Sequence, residues 1–292
     1  INCRFSPQRL VELSKMDGAL ILSSDTKKIL YANTLLVPNI EIPTRETGTR
    51  HKAAERTAKQ IGTIAIAVSE RKNRTTVYYG NEKHVLEESS EILRRAAETL
   101  QILEKQKDIF DELLTNLNIL EINGLVTTTD VCNILQRMEM IKRISDIVKR
   151  YLVELGKEGT IVSMRLKELT RNLNKKEILI LRDYLGSKYL KILSVLGTMG
   201  VDFLLETQNI ARMIFDELHE KPISPRGVRF LSKTNLLEKD IKSLLAKFKF
   251  LENILDANDE NLLSVWKKKE TLNFFRQEIQ ALKDKIMSGK EK

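Results

Sequence analysis

Thr44-Arg-Glu-Thr-Gly-Thr-Arg-His-Lys-Ala-Ala-Glu-Arg-Thr-Ala-Lys-Gln60 is the stretch on which the reading of this chain turns. Its second half has the pattern of an amphipathic helix. Ala53, Ala54, Ala58 and Ile61 make one small apolar face, Arg56, Lys59 and Gln60 are expected to face water, and Gly62 is the stop. Its first half follows a different logic. Thr47, Gly48 and Thr49 offer free backbone N–H groups at a helix N-terminus, and Arg50, His51 and Lys52 add cations to that same end. A helix dipole favours cations at the opposite end, so this arrangement points to a bound anion, of which phosphate is the commonest. Basic residues at a helix start also occur as plain solvated charge, and the neighbouring sequence has to decide between the two.

Upstream, Ser6-Pro7 is an N-cap followed by Pro at the first helical position, and Leu10, Val11 and Leu13 give a short helix ending near Met16. Asp17-Gly18 breaks it. Ala19–Ser23 is expected as a buried strand, Asp25–Lys28 as a turn and Ile29–Ala32 as the returning strand. Residues 33–47, with Pro38 and Pro43, read as a long loop of the kind that is often functional. Downstream, Thr63–Val68 is almost wholly apolar and predicts a central strand buried on both faces. Thr75–Tyr79 and Lys83–Leu86 follow as a hairpin about Gly80-Asn81. The first 87 residues are therefore α/β, a mixed sheet with flanking helices.

From Glu88 the apolar residues recur at helical spacing, through Ile92, Ala96, Leu100, Leu103, Leu114 and Leu117, as one long helix or a helical hairpin. Asn123-Gly124 and the Thr127-Thr-Thr-Asp130 cap restart helices that run to about Glu220. Lys221-Pro-Ile-Ser-Pro-Arg-Gly227 is a breaker cluster, and a small helical tail follows, with helices at Glu238–Phe250 and Thr271–Met287 and a turn between Asp256 and Glu260. The expected organisation is an α/β domain at 1–87, an all-α linker bundle at 88–222 and a small helical domain at 223–292.

The chain has 292 residues, 42% hydrophobic and 30% charged, enough for real cores in two or three domains. No run of 18 apolar residues occurs, so no membrane-spanning helix is expected. The start, Ile1-Asn-Cys-Arg-Phe5, is not a signal peptide and lacks an initiating Met, which predicts a fragment or a chain matured by loss of an N-terminal part. Cys3 and Cys132 have no metal-ligand spacing and suit a reducing cytoplasm, and His51, His84 and His219 are too scattered for an obvious metal site. Of the net charge of +9, the two ends carry +5 each and the middle is close to neutral, which favours polyanions without choosing among them.

Asp17, beside Gly18 at a helix-to-strand junction, and Ser69, at the end of an apolar strand, each read in isolation as turn or loop residues. Taken with Thr49, Arg50, His51 and Lys52 they make what a metal–triphosphate site needs, with the carboxylate on the metal and the others on phosphates. Neither Gly-x-x-x-x-Gly-Lys nor Gly-x-Gly-x-x-Gly occurs, so a nucleotide would be held by another fold.

Asp17-Gly-Ala19 and Gly48-Thr-Arg-His51 resemble the Asp-Gly-Ala and Arg-His-Arg motifs of the diadenylate cyclase family. Leu13–Ser23, Tyr31-Ala-Asn33, Glu46–His51, Ala54–Gln60, Val68-Ser-Glu-Arg71 and Leu103-Glu-Lys105 resemble its DNA-integrity-scanning branch, which carries a helical linker. The resemblance implies condensation of two ATP into cyclic di-AMP and two pyrophosphates, a nucleotidyltransferase reaction, in half-sites that meet face to face in a homo-oligomer such as an octamer. It implies a role for Asp17 at the reacting 3′-hydroxyl and at Mg2+ or Mn2+. Thr49, Arg50, His51, Lys52 and Ser69 would hold phosphates, Gly18 would line the ATP, and Leu36 would contact the base.

Three departures qualify this. Lys52 stands in place of the motif's second Arg and Ala53 in place of a Thr, and the family domain begins with a helix and strand upstream of Ile1. Pro225–Lys233 resembles the entry to a helix-hairpin-helix DNA-binding domain, but Leu263-Ser-Val-Trp-Lys-Lys-Lys-Glu270 replaces its Gly-x-Gly hairpin, so DNA contact through Lys267, Lys268 and Lys269 is expected to be weak and non-specific. A cytoplasmic diadenylate cyclase is the favoured reading. A DNA-binding scanning protein with weakened or lost cyclase activity is the alternative, ahead of a purely structural helical adaptor.

Overall fold

The structure is a computed structural model that describes residues 2–69, 74–216, 220–266 and 269–289. His219, Lys267, Lys268, Arg71 and the polar residues expected to follow Ser69 lie outside the described residues. The chain divides into two compact units, Ile1–Ile92 and Leu93–Lys292.

The first unit runs β1 (Cys3–Arg4), α1 (Pro7–Leu13), β2 (Ala19–Leu22), β3 (Lys28–Thr34), α2 (Thr49–Ile61), β4 (Ile64–Ser69), β5 (Arg74–Tyr79) and β6 (Glu82–Val85). It is α/β as expected. Among the described residues its strands form two antiparallel sheets of three, ordered β1-β3-β2 and β4-β5-β6. Ser6 caps α1 as predicted, its hydroxyl accepting from the N–H of Arg9, and β2 is half-buried where a buried strand was expected.

The apolar run at β4 does not form a central strand buried on both faces. It is an edge strand. Ala67 is buried with Tyr78 of β5 beneath Ala54 and Ala58 of α2, whereas Ile64, Ile66 and Val68, on the other face, are all more than 60% exposed. An apolar run records what a strand can bury, and the cover on each face comes from other elements, which composition does not report. The alanines matter for the site. With small side chains on both partners, α2 packs close against the sheet.

In the second unit, α3 (Ser89–Asn123) is one continuous helix, which settles the choice between long helix and hairpin. Thr127 and Asp130 form the reciprocal cap that opens α4 (Thr128–Leu155). Helices α5 (Thr160–Leu169), α6 (Leu173–Leu185), α7 (Tyr189–Thr198), α8 (Val201–Leu205) and α9 (Thr207–Phe215) complete one hydrophobic cluster with α3 and α4. A second cluster unites α10 (Val228–Leu231), α11 (Glu238–Phe248), α12 (Leu251–Leu255), α13 (Asp259–Trp266) and α14 (Lys269–Met287), with Ile119 and Ile122 of α3 packed against it. Where a turn was expected between Asp256 and Glu260, α12 and α13 nearly meet, and α13 runs through Leu263 to Trp266.

A buried polar network joins these clusters. Arg229 of α10 pairs with Glu121 and donates to Asn118, both on α3. Glu121 also accepts from the hydroxyl of Tyr184 at 2.6 Å, and the Asp183 carboxylate accepts from the N–H groups of Val228 and Arg229, the latter at 2.8 Å. Burial, and then the Glu121 charge, push the Asp183 carboxyl well above the ordinary carboxylate range. Removing one member of such a network leaves its partners charged and dry. Arg229→Ala is therefore expected to cost about 3–5 kcal/mol of stability, seen as a lower denaturant midpoint of the full chain, while exposed Lys239→Ala leaves the midpoint in place.

Candidate active site

The N-terminus of α2 is the centre of the site. Gly48 is its N-cap, with φ −84° and ψ 142°, and has no side chain to accept from the first-turn N–H groups. No acidic residue stands in that turn. The amides without a capping side chain are those of Thr49, Arg50 and His51, a set shifted later in the chain than the Thr47, Gly48 and Thr49 groups expected from the sequence, because the helix starts at Thr49.

What aims this end is the preceding loop, strapped along α2 by side chains expected to face water. Gln60 accepts from the N–H of Asn39 at 2.9 Å, Arg56 donates to the carbonyl of Ile42 at 2.9 Å, and Lys59 donates to that of Pro43 at 2.9 Å. The Thr44 hydroxyl donates to Glu55, which also pairs with Lys59 at 2.7 Å. Burial opposes ionisation of Glu55, but the bonds from Lys59 and Thr44 prevail and hold its carboxyl below the usual range. Arg56 and Lys59 are thus half-buried clamps, because the loop returns across the face that periodicity assigned to solvent.

The structure brings Asp17 to Arg50. Their side chains meet at 3.3 Å across 33 residues of sequence, both largely in water, at 99% and 73% exposure. A surface pair of this kind adds little stability, about 0–1 kcal/mol, so packing does not account for the meeting of two motif ends. Gly18 lets it happen. At φ 111° its backbone lies so close to β3 that a Cβ would stand 2.9 Å from the Asn33 carbonyl carbon and the Thr34 nitrogen.

The other predicted residues spread around this pair. Thr49, exposed, and Lys52, half-buried, share the first turn of α2 with Arg50 and His51. The ring of His51 meets that of Tyr78 edge-on, centroids 6.5 Å apart. Ser69 ends β4 opposite Arg74, and Leu36 is half-buried on the loop after β3. Among the described residues neither Ser69 nor Leu36 bonds to Asp17 or Arg50.

Sequence reasoning missed the support beneath His51. Glu46 pairs with Lys83, and this bond holds the Glu46 carboxyl below the usual range. Burial first, and Glu46 next, push the Tyr78 phenol above its ordinary value. No local signal could mark a Glu–Lys pair 37 residues apart.

No group of three or more His, Cys, Asp or Glu able to hold a metal occurs among the described residues. Asp17 is a lone exposed carboxylate, which suits a divalent ion held by one carboxylate and the phosphates of a nucleotide. Cys3 and Cys132 are free thiols, the latter pushed up to about 12 by burial.

Residues 1–83 match the nucleotide-binding region of the DisA bacterial checkpoint controller, and residues 86–217 match its linker region. The DNA integrity scanning protein DisA of Clostridioides difficile (strain 630) is 45% identical over 269 residues, covering 90% of this chain and 76% of its own. Its namesakes in Acetivibrio thermocellus and Clostridium kluyveri are each 45% identical, over 270 and 268 residues, covering 90% of this chain and 75% and 76% of theirs. The chain belongs to the DisA-like diadenylate cyclase family.

The nucleotide-binding match of this DisA-like chain contains every site residue expected from the sequence, from Asp17 to Ser69, and the linker match spans α3 to α9. No helix among the described residues is long and apolar enough to cross a membrane.

The contact at Gly18 is testable against a second left-handed glycine. Gly18→Ala is expected to destabilise the chain by about 1–3 kcal/mol more than the wild type loses to Gly80→Ala, whose Cβ meets nothing within 4 Å. Equal melting temperatures for the two variants would remove Gly18 as the device that places Asp17.

Proposed function

We infer that this chain condenses two ATP molecules into cyclic di-AMP and two pyrophosphates. The observation that carries the reading is the Asp17–Arg50 contact beside the uncapped first turn of α2, which sets one carboxylate against a phosphate-binding surface. In each half of the reaction the 3′-hydroxyl oxygen of one ATP forms a bond to the α-phosphorus of the other. The bond from that phosphorus to pyrophosphate breaks, and the hydroxyl proton is lost. Arg50 and the N–H groups of Thr49 to His51 hold the triphosphate, with Lys52 adding charge, and Tyr78 steadies the ring of His51 from below. Asp17 is placed for the hydroxyl and for Mg2+ or Mn2+, which when bound would neutralise phosphate charge. Leu36 and Gly18 would bound the nucleotide, and Ser69 would reach its phosphates.

One chain supplies one half-site, so the reaction calls for two chains face to face, in a homo-oligomer that extends to an octamer in the family reading. The exposed Leu35, Val37 and Ile40 on the loop before α2 support association there. The substrates and the free thiols suit a cytoplasmic setting.

The reading is tested by incubating the purified protein with ATP and Mg2+ or Mn2+ and separating the products by chromatography. Cyclic di-AMP is the expected product, and ADP or AMP alone would sink the idea. Asp17→Asn should lower product formation by about a hundredfold or more while ATP binding survives, because the amide keeps the shape and loses the charge.

The relatives' name, DNA integrity scanning protein, supports a second function in DNA contact. Here α13 continues to Trp266, whose ring packs 5.0 Å from Phe275, where a glycine hairpin would otherwise bring amides to a phosphate. The remaining attraction is the +5 charge of residues 223–292. Fluorescence anisotropy should therefore show weak binding that falls steeply with salt and does not distinguish linear from four-way DNA. Tight, salt-resistant preference for the junction would show instead that an altered hairpin still works.

A further inference from the structure

The second unit holds a cleft of about 570 Å3 that the catalytic reading leaves unused. Its walls carry Arg182 of α6, Ser187 and Tyr189 at the turn into α7, Arg226 just before α10, and Lys249 and Phe250 just after α11. Among the described residues no carboxylate lines it. Among the described residues the three cationic side chains have neither an ion pair nor a hydrogen bond.

Two backbone features deliver these cations to one place. Gly186, at φ 55° and ψ −122°, presents bare backbone to the Arg226 guanidinium, and a Cβ there would stand 2.5 Å from Nη2. The main chain of Arg226 is held in turn, its N–H donating to the Asp183 carbonyl at 3.1 Å. Lys249 occupies φ 65°, a conformation that favours glycine, yet the residue here is a lysine. Non-glycine residues kept in such conformations concentrate at ligand sites.

We propose that this cleft binds a nucleotide unit, either a free mononucleotide or one unit of a single strand. Arg182, Arg226 and Lys249 take its phosphate, and Tyr189 and Phe250 take its base. Planar guanidinium forks match phosphate geometry, and aromatic rings supply stacking surfaces that tolerate any base. The volume falls within the range of roughly 300–1,000 Å3 typical of small-ligand sites. The site is separate from the one built on Asp17 and Arg50 and does not depend on it.

The test uses the full chain carrying Arg50→Ala, which lowers the contribution of the site on α2, and reads the change that each further variant makes on that background. Labelled AMP is titrated by anisotropy and competed with unlabelled AMP, oligo(dT) or inorganic phosphate. Arg226→Ala should weaken AMP binding by about tenfold or more. Lys249→Gly is the decisive variant. It relieves the backbone, so the melting temperature holds or rises, while the lost ammonium weakens binding. Displacement by oligo(dT) at lower concentration than by AMP identifies a strand as the ligand, and the reverse order identifies a free nucleotide. Binding unchanged in both variants, absent for every probe, or weakened equally by exposed Lys239→Ala overturns the proposal.

Discussion

The first turn of an α-helix cannot satisfy its own N–H groups, and in α2 no side chain among the described residues caps them. Gly48 has no side chain to lend and no carboxylate stands in the turn. Arg50, His51 and Lys52 compound the imbalance instead of relieving it. An uncapped, positively surrounded helix end is costly in an empty protein and favourable around a phosphate, so this one constraint connects the local sequence to a nucleotide.

The rest of the first unit keeps that end in place. A loop long enough to wander is tied to α2 at Asn39, Ile42, Pro43 and Thr44, by polar side chains spaced along one helix face. Below, alanines on α2 and β4 bring helix and sheet together, and Tyr78 fills the space under His51. On the far side Gly18 gives up its side chain so that Asp17 can reach Arg50. Precision at the site comes from packed and bonded supports, since the exposed pair itself contributes little.

The second unit solves a different problem. Its two hydrophobic clusters are joined by buried Arg229, Glu121, Asn118 and Asp183, with half-buried Tyr184 beside them. Hydrophobic side chains of similar volume would stabilise such a junction at least as well. The directed bonds of the buried guanidinium and of Asp183 tie α3, α6 and α10 together, and the cleft at Gly186 and Arg226 lies at the ends of α6 and α10.

The sequence by itself determined the elements whose cause is local. Ser6-Pro7 and Thr127–Asp130 are caps, the apolar spacing from Ile92 is a helix, and Gly48-Thr-Arg-His51 is a helix start without an acidic residue, all within a few residues' reach. Asp17 was legible as a candidate through its motif. Its meeting with Arg50 was not, because a contact across 33 residues depends on how β2 and β3 carry the chain back. Tertiary structure alone also decided that β4 lies at a sheet edge with Ile64, Ile66 and Val68 uncovered, and that Arg56 and Lys59 clamp a loop. Composition states which surfaces are apolar or charged. Which of them find a partner is set by elements distant in sequence, and that information exists only once the chain has folded.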